Sequence, residues 1–313
     1  MNSLNLKGHF SEETKNATTI KNSQVIFDTS SLLSDIRNII HGPGLKVPVE
    51  LEHNVSILQT LCYGMQRLFD AINYRPAGEI AIREELEFKT YITFHRKICL
   101  KLAETLMYLP QFSSLAKSDK ANLFNTLLPF FLSIERVYSS LLVFGHDNPK
   151  TLILFDDVQG YDERFAILSD AELPENSKKQ LFSLFRNCNE FLLNKLYLPL
   201  KKLKLTITEF SFFIGLFLFS VEDIVDITDE LREAGSRAIQ LINNDIHNYY
   251  CKNRTDYAHR ITEIVRLISK ATCYCSMKGE TISVAQLMGV FDTSKMYLEK
   301  LGDDNPLLLY LKS

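Results

Sequence analysis

Cysteine pairs at metal-binding or redox spacing are missing from this sequence. Its six cysteines stand at 62, 99, 188, 251, 273 and 275, with none before Cys62 and no C-x-x-C anywhere. A structural zinc site needs four well-spaced ligands, so no zinc module is encoded here. Cys273 and Cys275 form a C-x-C, which a helix would point in different directions. Residues 1–24 are polar and mixed in charge, with no apolar stretch of the signal-peptide kind. The expectation is a reducing compartment with unpaired, mostly buried thiols. The sequons at Asn16, Asn54 and Asn253 then count as chance matches.

Glycine and proline are sparse, 12 and 9 in 313 residues, and alternating β-branched runs are rare, which favours helices. Neither sign of charge dominates: the net charge is −3, and no basic footprint for nucleic acid emerges. Catalytic signatures are absent too, with no G-x-S-x-G, no H-E-x-x-H and no glycine-rich phosphate loop. Asp156-Asp157 and Glu84-Glu85 are adjacent carboxylates, which do not share a face of a helix or strand, so they read as solvated loop acids. Lys201, Lys202 and Lys204 read as a solvated helix end. No apolar run suits a bilayer. Residues 210–221 are too short and sit between Glu209 and Glu222, while residues 123–144 carry Glu135 and Arg136 in their middle. No repeat of fixed period is present.

What the sequence does hold is core. It is 46% hydrophobic and 23% charged, enough apolar mass to need no staples. Residues 123–144 are apolar on every face of a helix, which marks a buried central helix covered on both sides. Asp119 suits its first turn with Ser118 as cap, and Pro129 predicts a kink or a division into two segments. Around it the periodicity predicts helices over 51–71, 88–109, 177–200, 206–219, 222–250 and 257–277. Short ones are expected within 24–40 and at 284–291 and 295–301. Leu241 is placed among the inward residues of the 222–250 helix. Residues 151–155 are the best strand. Residues 1–24 read as a disordered tail.

Several separated motifs then carry a resemblance. Residues 102–112, followed by Leu115, Asp119-Lys120, Leu123-Phe124 and residues 134–138, resemble the signature of nuclear hormone receptor ligand-binding domains. Residues 241–250 and 257–261 look like the segment joining the ninth and tenth helices of that fold. Lys120 in place of the usual Gln, and the Asn-Asp-Ile-His run ending in Tyr249-Tyr250, are similar to the nematode supplementary branch. The resemblance implies an all-α, three-layer antiparallel helical sandwich with one small β element. It covers residues 51–302, preceded by a tail and hinge-like segment over 1–50 and followed by a tail over 303–313.

It also implies roles. A ligand pocket would draw on Tyr91, Phe94, His95, Ile98, Leu128, Leu132, Arg136 and Ser139. Arg136 is either a displaced carboxylate anchor or the partner of a structural acid, and the second is preferred. His95 on an apolar stripe reads as a core histidine, and the large aromatics can fill the pocket outright. A coregulator groove would involve Ala103, Met107, Ala121, Asn125 and Glu299, the last on a switch helix over 295–301. Met107 and Asn125 stand where the family places basic residues that cap a bound helix. Standard leucine-rich helices should therefore bind weakly, and Met107→Lys should strengthen them. The implied partners are a small apolar ligand, an amphipathic coregulator helix, and a homo- or heterodimer mate through the tenth helix. No cofactor, enzymatic activity, membrane or direct nucleic-acid contact is expected. The implied function is transcription regulation in the nucleus without an own DNA-binding module, a reading that Met1 favours. The alternatives are a pocket-filled dimerisation partner or decoy, and a helical lipid carrier.

Overall fold

A computed structural model describes residues 18–288, apart from 22–23, 28–29, 49–54, 87, 169–174, 223, 225–226 and 254–256. Expectations for residues 289–313, including Glu299 and the 295–301 helix, lie outside the described residues.

The apolar run that dominates the sequence is one helix, α4 (Lys117–Phe144), numbered after α1 (Ser30–Ile40), α2 (Ile57–Ile72) and α3 (Phe88–Met107). Nearly all of α4 from Asp119 to Leu141 is buried. Its length and composition would suit a membrane span, yet 83% of its most apolar window is covered by protein. Pro129 does not divide it. The carbonyl of Pro129 accepts from Ser133 Oγ at 2.7 Å, while the ladder bond that proline removes is the one to the carbonyl of Asn125. Ser118 is not the cap: the helix starts at Lys117 behind Ala116, and no side chain caps it. Asp119 does sit in the first turn, but its carboxylate accepts from the Thr228 hydroxyl at 2.6 Å, far along the chain.

After α4 come α5 (Glu175–Phe191), α6 (Ile207–Phe219), α7 (Asp229–Asn253) and α8 (Ala258–Leu287). The helix expected to end near Pro199 continues past it, through a π-helical stretch at Leu192–Tyr197 and a last segment at Leu198–Leu203. Proline is tolerated in the first turn of that segment because the lost N–H is an orphan there. Lys204, in the left-handed conformation, then stops the run. In α6 the sequence speaks directly: Thr206 and Glu209 form a reciprocal capping box. Ser56 and Gln59 do the same for α2. Gly279 does not interrupt α8, so the separate helix expected from 284 is its last turns. Cys273 is exposed and Cys275 buried, as C-x-C on a helix requires.

The helices stack in three layers. α1, α2 and α3 pack together on one side; α4, α6 and α7 lie between; α5 and α8 cover the far side. Aromatic rings join α2, α4 and α6: Tyr138 stacks on Phe210 at 4.0 Å and Phe130 on Phe217 at 3.6 Å. Leu241, expected inward on α7, is exposed. Its neighbour Ile242 is the buried one and packs at Gly215 of α6.

The β content exceeds the single element expected. Strands β1 (Thr18–Lys21) and β2 (Gln24–Phe27) form an antiparallel hairpin where a disordered tail and the start of a helix were expected. The packed body also reaches ahead of residue 51, because Leu32, Leu33, Ile36 and Ile40 of α1 are buried. β3 (Ala81–Ile82), β5 (Leu152–Leu154) and β6 (Gln159–Asp162) form a three-stranded sheet, while β4 (Glu85–Leu86) pairs with β7 (Ile167–Leu168). β5 and β6 are antiparallel, and β3 adds two residues in parallel at the edge. The register brings Gly160 so close to the neighbouring strand that a Cβ would meet the Ile153 carbonyl at 2.5 Å. This sheet lies against the second half of α4, where Ser140 Oγ accepts from the Leu154 N–H at 2.8 Å.

Candidate functional site

The residues expected at a pocket lie on α3 and α4, and one contact between the two, the Phe94 ring against Arg136, joins two of them. Phe94, His95, Ile98, Leu128, Leu132, Arg136 and Ser139 are all buried. Tyr91 takes its place on α3, but its side chain is outside the described residues.

Chemistry here centres on Glu135, which is 0% exposed. Arg136 curls back onto it in a two-pronged pair: Nε donates to Oε2 at 2.6 Å, and Nη2 donates to Oε1. The third prong, Nη1, reaches the carbonyl of Asp156 at 3.2 Å. The Phe94 ring of α3 lies under the guanidinium, 4.4 Å from ring centre to carbon. Ser139 donates to the same carboxylate at 2.6 Å and accepts from Asn73 at 2.8 Å, which ties in the end of α2. One buried ion pair thus bridges α2, α3, α4 and the loop after β5. Such a pair is tolerated only when its remaining donors and acceptors are also satisfied. Arg136 is therefore engaged on three sides, by an acid, a carbonyl and an aromatic face.

Asp156 corrects the reading of it as a solvated loop acid. It is 1% exposed. Its carboxylate accepts from the N–H groups of Val158 at 2.9 Å and Gln159 at 2.8 Å, and from Gln159 Nε2 at 2.9 Å. An aspartate that accepts from the second following N–H organises a turn, and the run Asp156-Asp157-Val158-Gln159-Gly160 carries that signal. Gln159 reaches on to Thr90 Oγ1 at 2.8 Å, which fastens the sheet to α3. Glu135, Gln159 and Asn73 also belong to this site and were not proposed for it from the sequence.

A second face lies at the far end of α3. Ala103, Met107 and Ala121 are fully covered, and Asn125 is nearly so. Met107, at 1% exposure, is no open rim position. Its carbonyl accepts from the Leu45 N–H at 2.8 Å. Lys120, also buried, donates to the Ser113 carbonyl at 3.1 Å. Burial pulls its pKa down from the ordinary lysine range, and Lys117 nearby adds to that.

The third ionic centre is structural. Glu209, at the head of α6, accepts from Arg260 Nη2 at 2.6 Å, from Tyr250 Oη at 2.7 Å and from the Thr206 N–H at 2.8 Å. Burial works against its charge, but Arg260, Thr206 and Tyr250 together outweigh it and hold the carboxyl below the usual range. Among the described residues, no three His, Cys, Asp or Glu side chains gather as a metal site would need.

A model of the ligand-binding domain of nuclear hormone receptors matches residues 78–288, which include α3, α4, the sheet and α5 to α8. The chain belongs to the nuclear hormone receptor ligand-binding domain family. Nuclear hormone receptor family member nhr-213 of Caenorhabditis elegans is 21% identical over 285 residues, covering 86% of this chain and 64% of that protein. The chain thus spans less than two thirds of the curated relative it matches. The Ultraspiracle ligand-binding domain from Drosophila melanogaster has the same fold: TM-score 0.51 at 12% identity, over 82% of this chain and 97% of that one. Nuclear receptor ligand-binding domains are transcription-regulator-type, generally nuclear and generally not enzymatic. In this one, the ionic network stands between the layers formed by α3 and α4.

Proposed function

We propose that this domain regulates transcription in the nucleus by receiving amphipathic helices of coregulator proteins on the face between α3 and α4. It dimerises through α8 and responds to a small uncharged apolar ligand. One observation carries the coregulator part: that face already seats an amphipathic helix, α1, whose apolar residues are buried against α3 and α4. Ala103, Met107, Ala121 and Asn125 are its floor. Helix-in-groove recognition uses apolar anchors on one side of the guest helix. For the dimer, Val265 on α8 and Leu241 on α7 supply exposed apolar side chains. For the ligand, the engagement of Arg136 by Glu135 favours a guest without a carboxylate.

The test is a reporter assay with the chain fused to a heterologous DNA-binding domain. Reporter output should shift from the level set by that domain alone, and a fluorescently tagged chain should accumulate in the nucleus. Unchanged output, with the fusion present in the nucleus, counts against the reading. A second reading has its own support: Phe94 packed on Arg136 occupies the space between α3 and α4, as in a filled-pocket dimerisation partner. Native mass spectrometry separates the two. A co-purified lipid favours the liganded receptor, and a bare mass favours the filled pocket.

A further inference from the structure

The helix α1 precedes the matched family region and is joined to α2 through residues 41–56. Its buried residues are Leu32, Leu33, Ile36 and Ile40. They fall at i, i+1, i+4 and i+8, one stripe of a helix. Two contacts fix where the stripe lies. At the start of α1, Arg96 of α3 donates to Ser31 Oγ at 3.1 Å and pairs with Asp35. Just past its end, the Leu45 N–H donates to the Met107 carbonyl. Arg96 and Met107 are eleven residues apart, about three turns, so they share one face of α3, with Leu100 and Ala103 between them. α1 is itself 11 residues long. It therefore runs alongside that face from Arg96 to Met107, its C-terminal end at Met107, and it touches α4 as well.

The attachment of α1 is of a separable kind. Its latch at Arg96 and Asp35 is partly open to water, with side-chain exposures of 23% and 46%. Exposed ion pairs contribute little and weaken with salt. The connection from Pro43 to Lys46 is exposed. Two contacts hold it: the Leu45 N–H on the Met107 carbonyl, and Gly44, where a Cβ would meet Ser113 Oγ at 2.8 Å. What remains is the apolar stripe, the same means by which an external helix would hold on.

We propose that α1 is an internal occupant of a helix-binding groove on α3 and α4. Its competitor is an amphipathic helix of a partner protein with apolar residues at i, i+4 and i+8 and a carboxylate at i+3. That pattern copies Leu32, Ile36, Ile40 and Asp35, and the carboxylate takes over Arg96. This rests on the reading that the α3–α4 face receives partner helices, and it adds that the face is self-occupied at rest. Tethering keeps α1 at an effective concentration of roughly millimolar, so a partner must outcompete it or meet it released.

The test uses the full chain and a fluorescently labelled synthetic peptide copying residues 30–42, read by anisotropy. Two variants release α1 by different means. Ile36→Glu puts a charge on its buried stripe, and Asp35→Arg sets two cations against each other at the latch without entering the core. The peptide should bind Ile36→Glu at least tenfold more tightly than wild type, and Asp35→Arg several-fold more tightly. Saturating peptide on wild type should speed hydrogen exchange at residues 32–40. A released variant with a native melting transition that binds the peptide no better than wild type overturns the proposal. If Ile36→Glu does not fold, Asp35→Arg decides alone. A leucine-rich coactivator peptide on the same released variants tests the coregulator reading separately. Its failure beside successful binding of the self-peptide removes that reading and leaves the exchange of α1 standing.

Discussion

Replacing Arg136 by Met tests whether the buried pair with Glu135 is the keystone of the α3–α4 layer. The variant keeps most of the side-chain volume and removes the charge. Glu135, with no exposed surface, would keep only the Ser139 hydroxyl of the contacts described here. Breaking a buried pair from one side costs about 3–5 kcal/mol, because the remaining charge is left uncompensated. The lost contact with Phe94 adds about 0.5–2 kcal/mol. The loss at Asp156 is smaller, since a carbonyl that loses one donor costs about 1 kcal/mol. Together these give a destabilisation of about 4.5–8 kcal/mol, which should lower the melting temperature by roughly 10–30 °C for a domain of this size. Urea unfolding of wild type, Arg136→Met, Glu135→Gln and the double variant gives the coupling. The double variant should cost less than the sum of the singles by about 2–3 kcal/mol. A cost below about 1 kcal/mol for Arg136→Met, the value of a surface pair, refutes the reasoning. So does strict additivity.

Acid should weaken the fold at Glu209. Its carboxyl titrates below the ordinary value of 4.5 in the folded chain, so the stabilisation is complete above that value. It is lost as pH falls through the lowered one. Glu209→Gln should flatten the fall in urea stability as pH drops below about 4.5. Gly160→Ala should cost about 1–3 kcal/mol through overpacking, whereas Gly279→Ala, with open space around it inside α8, should gain about 0.5–1 kcal/mol; thermal melts of the pair decide. Neither Met107→Lys nor Met107→Glu should raise affinity for an amphipathic peptide, because a charge in the floor opposes a guest helix as it opposes α1, as peptide anisotropy on both variants would show. Weakening by Met107→Glu alongside strengthening by Met107→Lys would show a cap at the helix end instead.

The parts of the fold that were legible were those in which one stretch decides its own state. Residues 123–144 are apolar on every face and could only be buried, and the helix expected over 206–219 is α6. What stayed hidden depended on partners distant in sequence. The hairpin β1–β2 was hidden because Thr18–Lys21 holds one strongly apolar residue and Val25, Ile26 and Phe27 of β2 fall within the stretch expected to hold the helix that follows. Pro129 and Pro199 looked like breaks, because periodicity does not show that the backbone stays helical through both. Leu241 looked inward because Leu241 and Ile242 are equally apolar, and only the packing of α6 chooses between them.

The candidate site shows the same division in sharper form. The family resemblance proposed the positions from Phe94 to Ser139. It could not give the partners of the polar ones, since a buried charge is stable only through a network whose members are scattered. Asn73, Ser139 and the Asp156 carbonyl come from three regions of the chain, and each is ordinary where it stands. Adjacent Glu135 and Arg136 were the least expected partners, because neighbours on a helix point to different faces. The long arginine side chain overcomes this by folding back, and the environment makes the choice for it. Glu135 has no water to solvate it, so the nearest guanidinium is bound to it. That requirement also bears on ligand choice. A carboxylate entering this layer would have to compete with Glu135 for Arg136 while leaving Glu135 itself unpaired, at a cost of several kcal/mol. An uncharged guest faces no such competition, and packing beside Phe94 and Leu132 would hold it.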